Sequence, residues 1–262
     1  MSVLLGCSSP CSYPATWRTS RRFSPRAGGY DVGMASAGAP RHNRPAQAPG
    51  SNFTEARASD DIDEGTFHAV LEAAGGALEQ KGIPHLLVGG IAASTYGRPR
   101  WTHDIDFLVR PVDAGLALDA LAAEGFRTEE THPDWLYKAE RDGVSVDVLF
   151  CVTGGILLDD EMLARGRSET IGGRTVPVIA PEDMLVIKAV VHDEHMPRHW
   201  HDGLAILARA DLDWEYLVGR AQAHGARRIL SLLLYAQSND IVVPNGPIRA
   251  LFDAVFEDWP QP

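Results

Sequence analysis

Two aspartates separated by a single residue, Asp104-Ile105-Asp106, follow a Gly89-Gly90 pair with thirteen residues between the motifs. Alternate side chains of a strand share a face, so both carboxylates point one way while Ile105 turns to the core. Carboxylates that close repel one another unless a cation lies between them. Mg2+ is a hard ion held by carboxylates together with substrate phosphate oxygens, which is the pairing a phosphoryl-transfer site requires. A third acid, Asp147, interrupts the apolar run Val144-Ser145-Val146-Asp147-Val148-Leu149-Phe150. A charge in so apolar a strand is costly unless it faces the same site or pairs with a nearby Arg or Lys. If this strand lies next to the first, three carboxylates converge at one sheet edge. Three acids on two strands can hold two metal ions roughly 3.5–4 Å apart, clamping attacking and leaving oxygens in an in-line displacement.

The glycine pair supplies the complementary half. It falls between a strand and a helix, where unpaired N–H groups and the helix dipole favour an anion. Ser94 or Thr95 adds a hydroxyl donor if it faces the turn, and Arg98 and Arg100 lie between the two motifs, able to neutralise triphosphate or pyrophosphate charge.

The elements that position these groups follow from periodicity. Phe67, Val70, Leu71, Ala74 and Leu78 recur at helical spacing after Asp61 and Asp63, and Gly82 stops that helix. Residues 83–88 have strand length, and residues 91–96 begin a second helix that Gly97-Arg98-Pro99-Arg100 breaks. The Asp104–Asp106 strand runs on to Val109, and Leu116, Leu118, Leu121 and Ala122 suit a helix covering the sheet. Strands over 135–141 and 144–152 meet at Asp142-Gly143, a strong hairpin signal, and 174–179 forms one more short strand. After Pro181 the periodicity is helical only, over 181–191, 204–210, 214–223, 228–235 and 248–256. Strands mixed with helices, then helices alone, predict an α+β fold. In it a small mixed sheet flanked by helices over 61–180 precedes a helical bundle over 181–262.

These residues resemble the DNA-polymerase-β-like nucleotidyltransferase superfamily. Strand, Gly-Gly, helix, then Asp-hydrophobic-Asp and a later strand Asp is that superfamily's pattern. The stretch Arg100-Trp101-Thr102-His103-Asp104-Ile105-Asp106 is similar to the Arg-x-Thr-x-Asp-Ile-Asp variant of small bacterial members, including AbiEii-type toxins and antibiotic adenylyltransferases. Pro181-Glu182-Asp183-Met184-Leu185-Val186-Ile187-Lys188 looks like the Pro-Glu-Asp-Leu helix of those proteins, with Lys188 in the place of a phosphate-contacting Lys. The chain departs from the pattern at Ile91, where a Ser often follows the glycines, and at His201-Asp202, where Lys-Asp is common. The resemblance implies a Mg2+-dependent enzyme, with two ions on Asp104, Asp106 and Asp147, that moves a nucleoside monophosphate from an NTP to an acceptor hydroxyl. Gly89, Gly90, Ser94, Arg98, Arg100, Thr102 and Lys188 would bind the nucleotide. The acceptor would be a tRNA end, a protein side chain or a small molecule such as an antibiotic, and a cognate antitoxin is an implied partner. The alternative is a catalytically degenerate nucleotide-binding module within a toxin–antitoxin or regulatory complex.

Composition bounds these readings. The 262 residues are 45% apolar and carry a net charge of −11, which argues against broad electrostatic binding to nucleic acid or anionic membrane. No apolar run approaches the ~18–20 residues of a membrane-spanning helix, so no membrane is expected. Three cysteines cannot form a disulfide framework, so a cytoplasmic setting is expected. Residues 1–50 hold six Arg, no Lys and one acid, Asp31, in a Ser, Gly, Pro and Ala background. Residues 1–60 therefore read as a disordered arm, with Met34 an alternative start. The histidines His192, His195, His199 and His201 read as surface or substrate-facing groups, because Pro197 breaks the helical spacing a zinc site would use.

Overall fold

A computed structural model describes residues 62–257, and the expectations for the 1–60 arm and for Met34 lie outside the described residues. The ordered chain opens with α1 (Glu64–Gln80), whose N-cap Asp63 accepts the Thr66 backbone N–H at 3.0 Å. Then come β1 (His85–Leu87), α2 (Gly89–Tyr96) and β2 (Asp104–Val109). A short 3-10 turn leads to α3 (Ala114–Ala123), followed by β3 (Arg127–His132), β4 (Leu136–Arg141) and β5 (Val144–Leu149). The sequence of elements continues with α4 (Asp160–Arg165), β6 (Arg167–Ile171) and β7 (Arg174–Val178). Only helices follow: α5 (Pro181–Val191), α6 (Arg198–Arg209), α7 (Trp214–His224), α8 (Ala226–Gln237) and α9 (Asn245–Phe256).

Among the described residues the strands form a single mixed sheet of order β3-β4-β5-β2-β1-β7-β6. The β2–β5 and β1–β7 pairs are parallel and the remaining pairs antiparallel. This is the α+β architecture the periodicity predicts, with three differences. β3 and β6 are strands that the apolar pattern does not show, because both are polar edge strands in which every residue is exposed or half-buried. The short α4 is likewise unsignalled. The helix expected over 204–210 starts earlier, at Arg198, and α2 includes both glycines.

Phe67, Val70, Leu71, Ala74 and Leu78 form the buried stripe of α1, which stands over Phe107 of β2 where Gly75 leaves room. α1 packs on α3, and α3 on β3, β4 and β5, covering the face opposite Asp104 and Asp106. α2 packs against β2 and also against α5 and α6, so the helices after residue 180 reach the strand–helix junction that carries the glycines.

The first turn of α5 is fixed by polar contacts. Pro181 occupies the start, where its missing N–H costs nothing. Glu182 accepts the Asp213 backbone N–H at 2.7 Å, while buried Asp183 accepts the Tyr216 hydroxyl and Arg220 Nε, each at 2.7 Å. Arg220 also reaches Asp159, the N-cap of α4, at 2.6 Å. The Pro-Glu-Asp segment thus ties α5 to α7 and α4.

Candidate active site

β2 and β5 run side by side in parallel, with Asp106 opposite Asp147 and Asp104 opposite Ser145. Paired residues face the same way, so the three acids share one face of the sheet, each half-buried. The convergence that depends on β5 lying beside β2 is therefore present.

Gly89 has a φ of +66°, and a Cβ there would stand 1.8 Å from Asp106 Oδ2. Only glycine allows the carboxylate to lie this close to the backbone. A Cβ on Gly90 would meet Thr102 Oγ1 at 2.6 Å and Arg100 Nη2 at 3.4 Å. The two glycines are thus the clearance into which the Asp-x-Asp strand and the loop before it fit. Burial pushes the Asp106 carboxyl up to about 7; the negative charges of Asp104 and Asp147 add to this, and Lys188 and the Gly90 N–H pull against it. Asp104 accepts the Thr102 hydroxyl, so Thr102 orients a carboxylate.

Asp147 is held from the opposite side. Lys138 of β4 places its ammonium 2.9 Å from Oδ1 and 3.1 Å from Oδ2, and Ser145 Oγ donates to Oδ1 at 3.2 Å. Lys138 is absent from the motif-based set of site residues, yet it was findable. A two-residue turn at Asp142-Gly143 pairs Arg141 with Val144, and counting outward puts Lys138 opposite Asp147.

A second charged group borders the acids. Asp202, buried on α6, accepts Arg100 Nε and Nη2 at 3.1 and 3.0 Å and Lys188 Nζ at 2.9 Å. Burial works to raise the Asp202 carboxyl, but the hydrogen bonds and charges of Arg100 and Lys188 outweigh it and hold it below its usual range. Two cations sharing one carboxylate leave a net positive charge beside Asp106. Lys188 is buried rather than snorkelling. Ser94 spends its hydroxyl on the Arg100 carbonyl at 3.2 Å, and so braces the loop. Arg98 is exposed and, among the described residues, forms no ion pair.

The histidines divide. His195 and His201 are exposed. His192 packs on Trp200 with ring centroids 4.9 Å apart, and Trp200 meets Tyr235 edge-on at 5.9 Å. Burial, with Lys188 and Arg198 nearby, depresses His199 to about 4.

Among the described residues no three His, Cys, Asp or Glu side chains form a ready-made cage for an ion. The donor set nevertheless suits Mg2+, which binds through one or two carboxylates and completes its shell with water and substrate oxygens. Asp104 and Asp106 provide such a pair; burial first, and then the charges of Asp104 and Asp147, raise the Asp106 carboxyl, and a cation would offset the charge repulsion.

The family described as an uncharacterised nucleotidyltransferase matches residues 32–238. A search of curated proteins returned no match. Among solved structures, the antibiotic-resistance factor ANT(2'')-Ia is 18% identical over 68% of this chain and 95% of its own, with a TM-score of 0.44. The lincosamide antibiotic adenylyltransferase LnuA, bound to lincomycin, is 14% identical over 55% and 96%, with a TM-score of 0.39. A nucleotidyltransferase-like protein from Paracoccidioides brasiliensis is 14% identical over 72% and 96%, with a TM-score of 0.42.

Proposed function

The chain belongs to the uncharacterised nucleotidyltransferase family, and from that premise we propose a Mg2+-dependent transfer of a nucleoside monophosphate from an NTP to an acceptor hydroxyl, releasing pyrophosphate. One observation carries the reading: Asp106 is lodged in the Gly89 clearance with Asp104 and Asp147 on the same face.

In this mechanism Asp104 and Asp106 would hold Mg2+, and Thr102 fixes the orientation of Asp104. When bound, Mg2+ supplies charge neutralisation for the triphosphate and for the transition state. Gly89 and Gly90 let Asp106, Thr102 and Arg100 close onto the start of α2. Arg100 and Lys188, with one positive charge in excess of Asp202, offset the charge of the phosphates, and exposed Arg98 is available to the departing pyrophosphate. The acceptor oxygen attacks the α-phosphorus, the bond to the bridging oxygen breaks, and pyrophosphate leaves. The acceptor proton passes to Asp147, whose carboxylate retains lone pairs beyond those used by Lys138 and Ser145. Positioning and electrostatics do most of this work, because no covalent intermediate is needed.

The net charge of −11 suits a cationic small-molecule acceptor better than unaided RNA. A reaction that consumes NTPs fits the cytoplasm, and a cognate antitoxin is a candidate regulator. The test is incubation with each α-labelled NTP, Mg2+ and a cell lysate, to identify which fraction gains label. Asp104→Asn and Asp106→Asn each reduce labelling about a hundredfold or more while the circular dichroism spectrum stays native. Undiminished labelling by either variant overturns the reading.

A further inference from the structure

The hairpin register places three acids and a lysine in line. β5 pairs Asp147 with Asp106 on β2 and with Lys138 on β4, and β3 sets Glu129 opposite Lys138. A transverse row across four strands therefore reads Glu129, Lys138, Asp147, Asp106, all facing the same side. Within that row the Lys138 ammonium touches both oxygens of Asp147, at 2.9 and 3.1 Å. The two side chains are 28% and 16% exposed, so water screens this pair less than an ordinary surface pair.

A divalent cation bridging Asp147 would have to approach the same two oxygens. Two positive charges that close repel, so the ammonium and a second ion compete for the position. Lys138 already neutralises Asp147 by direct contact, which leaves the Asp104–Asp106 pair to a single divalent cation.

The geometry points to Lys138 as a built-in cation: this chain binds one divalent ion, on Asp104 and Asp106, because the ammonium already holds both Asp147 oxygens that a second ion would need. The inference rests on the nucleotidyl-transfer reading and replaces the two ions implied by the sequence resemblance with one. Lys138 is then a positioning residue that orients Asp147 beside the acceptor. Glu129, next in the row, offers the ammonium an alternative partner if it is displaced.

Mn2+ bound to the full-length chain without nucleotide, counted by electron paramagnetic resonance titration, tests this. The wild type should bind one Mn2+ that is lost in Asp104→Asn. Lys138→Met should bind two, and Lys138→Arg, which keeps the charge, should bind one. Lys138→Gln is read in the same way as Lys138→Met should the latter fail to fold. Two ions on the wild type, or a single ion on a natively folded Lys138→Met, overturn the role of Lys138 and leave the transfer reading standing. Mn2+ binding that is absent, or that survives Asp104→Asn, overturns both.

Discussion

Glycine at position 89 has two separable reasons, a φ of +66° and the Asp106 carboxylate that fills the space a side chain would take. Gly89→Ala should therefore do more than strain the backbone. The left-handed conformation costs about 1–2 kcal/mol, measurable by urea denaturation. Displacement of Asp106 should in addition lower Mn2+ affinity and nucleotidyl transfer well beyond what the stability loss explains. A Gly89→Ala variant with wild-type transfer would show that Asp106 need not lie against the turn. The spacing of glycines and acids was legible because close approach leaves a mark in the sequence: no other residue type is tolerated there. Lys138 was less visible. Its meaning lies in strand register, which one dipeptide, Asp142-Gly143, determines at a distance. The hydroxyls of Ser94 and Thr102 were placed near the site, but what they bond was not legible, since a hydroxyl accepts any partner that geometry presents.

At the level of elements, the Pro-Glu-Asp start of α5 is a fastening. Arg220 is held by Asp183 and Asp159, and Asp183 is buried, so Arg220→Ala leaves an uncompensated carboxylate between α5 and α7. Breaking one side of such a pair costs about 3–5 kcal/mol. Tyr216→Phe removes one hydrogen bond to Asp183 and should cost about 1–3 kcal/mol. Urea midpoints check both, and a loss of transfer in Arg220→Ala without a loss of stability would put Arg220 in the site instead. The five inner strands and the long helices were legible from apolar period because both of their faces, or one continuous stripe, must be buried. The edge strands β3 and β6, reading Arg-Thr-Glu-Glu-Thr-His and Arg-Ser-Glu-Thr-Ile, were not. Exposed edges select charge, which guards against pairing with another chain and erases the strand signal. The Gly172-Gly173 turn, with both φ positive, was the remaining cue to β6.

For the whole molecule, stability against pH should combine opposing groups. The Asp106 carboxyl sits at about 7 in the folded chain against 3.8 in the unfolded one, and Asp183 at about 6. Between these values the folded chain binds more protons, so their contribution is greatest in acid and is lost as pH rises through 6 to 7. His85 and His199 act in the other direction. Burial lowers both, His199 to about 4, so the unfolded chain protonates first and their contribution is lost as pH falls below 6.5. His224 is lowered by burial in the same way, so without metal the histidine and carboxyl trends oppose each other below pH 6.5 and flatten the dependence of the melting temperature there. A divalent cation keeps Asp106 ionised and cancels its share. Calorimetry with saturating Mn2+ should then show a raised melting temperature at pH 8, and a gap to the metal-free chain that closes as pH falls through 7. Asp106→Asn should abolish that gap at every pH while keeping the acid-side loss due to the histidines. A gap that persists unchanged to pH 5 would place the cation on groups other than Asp106.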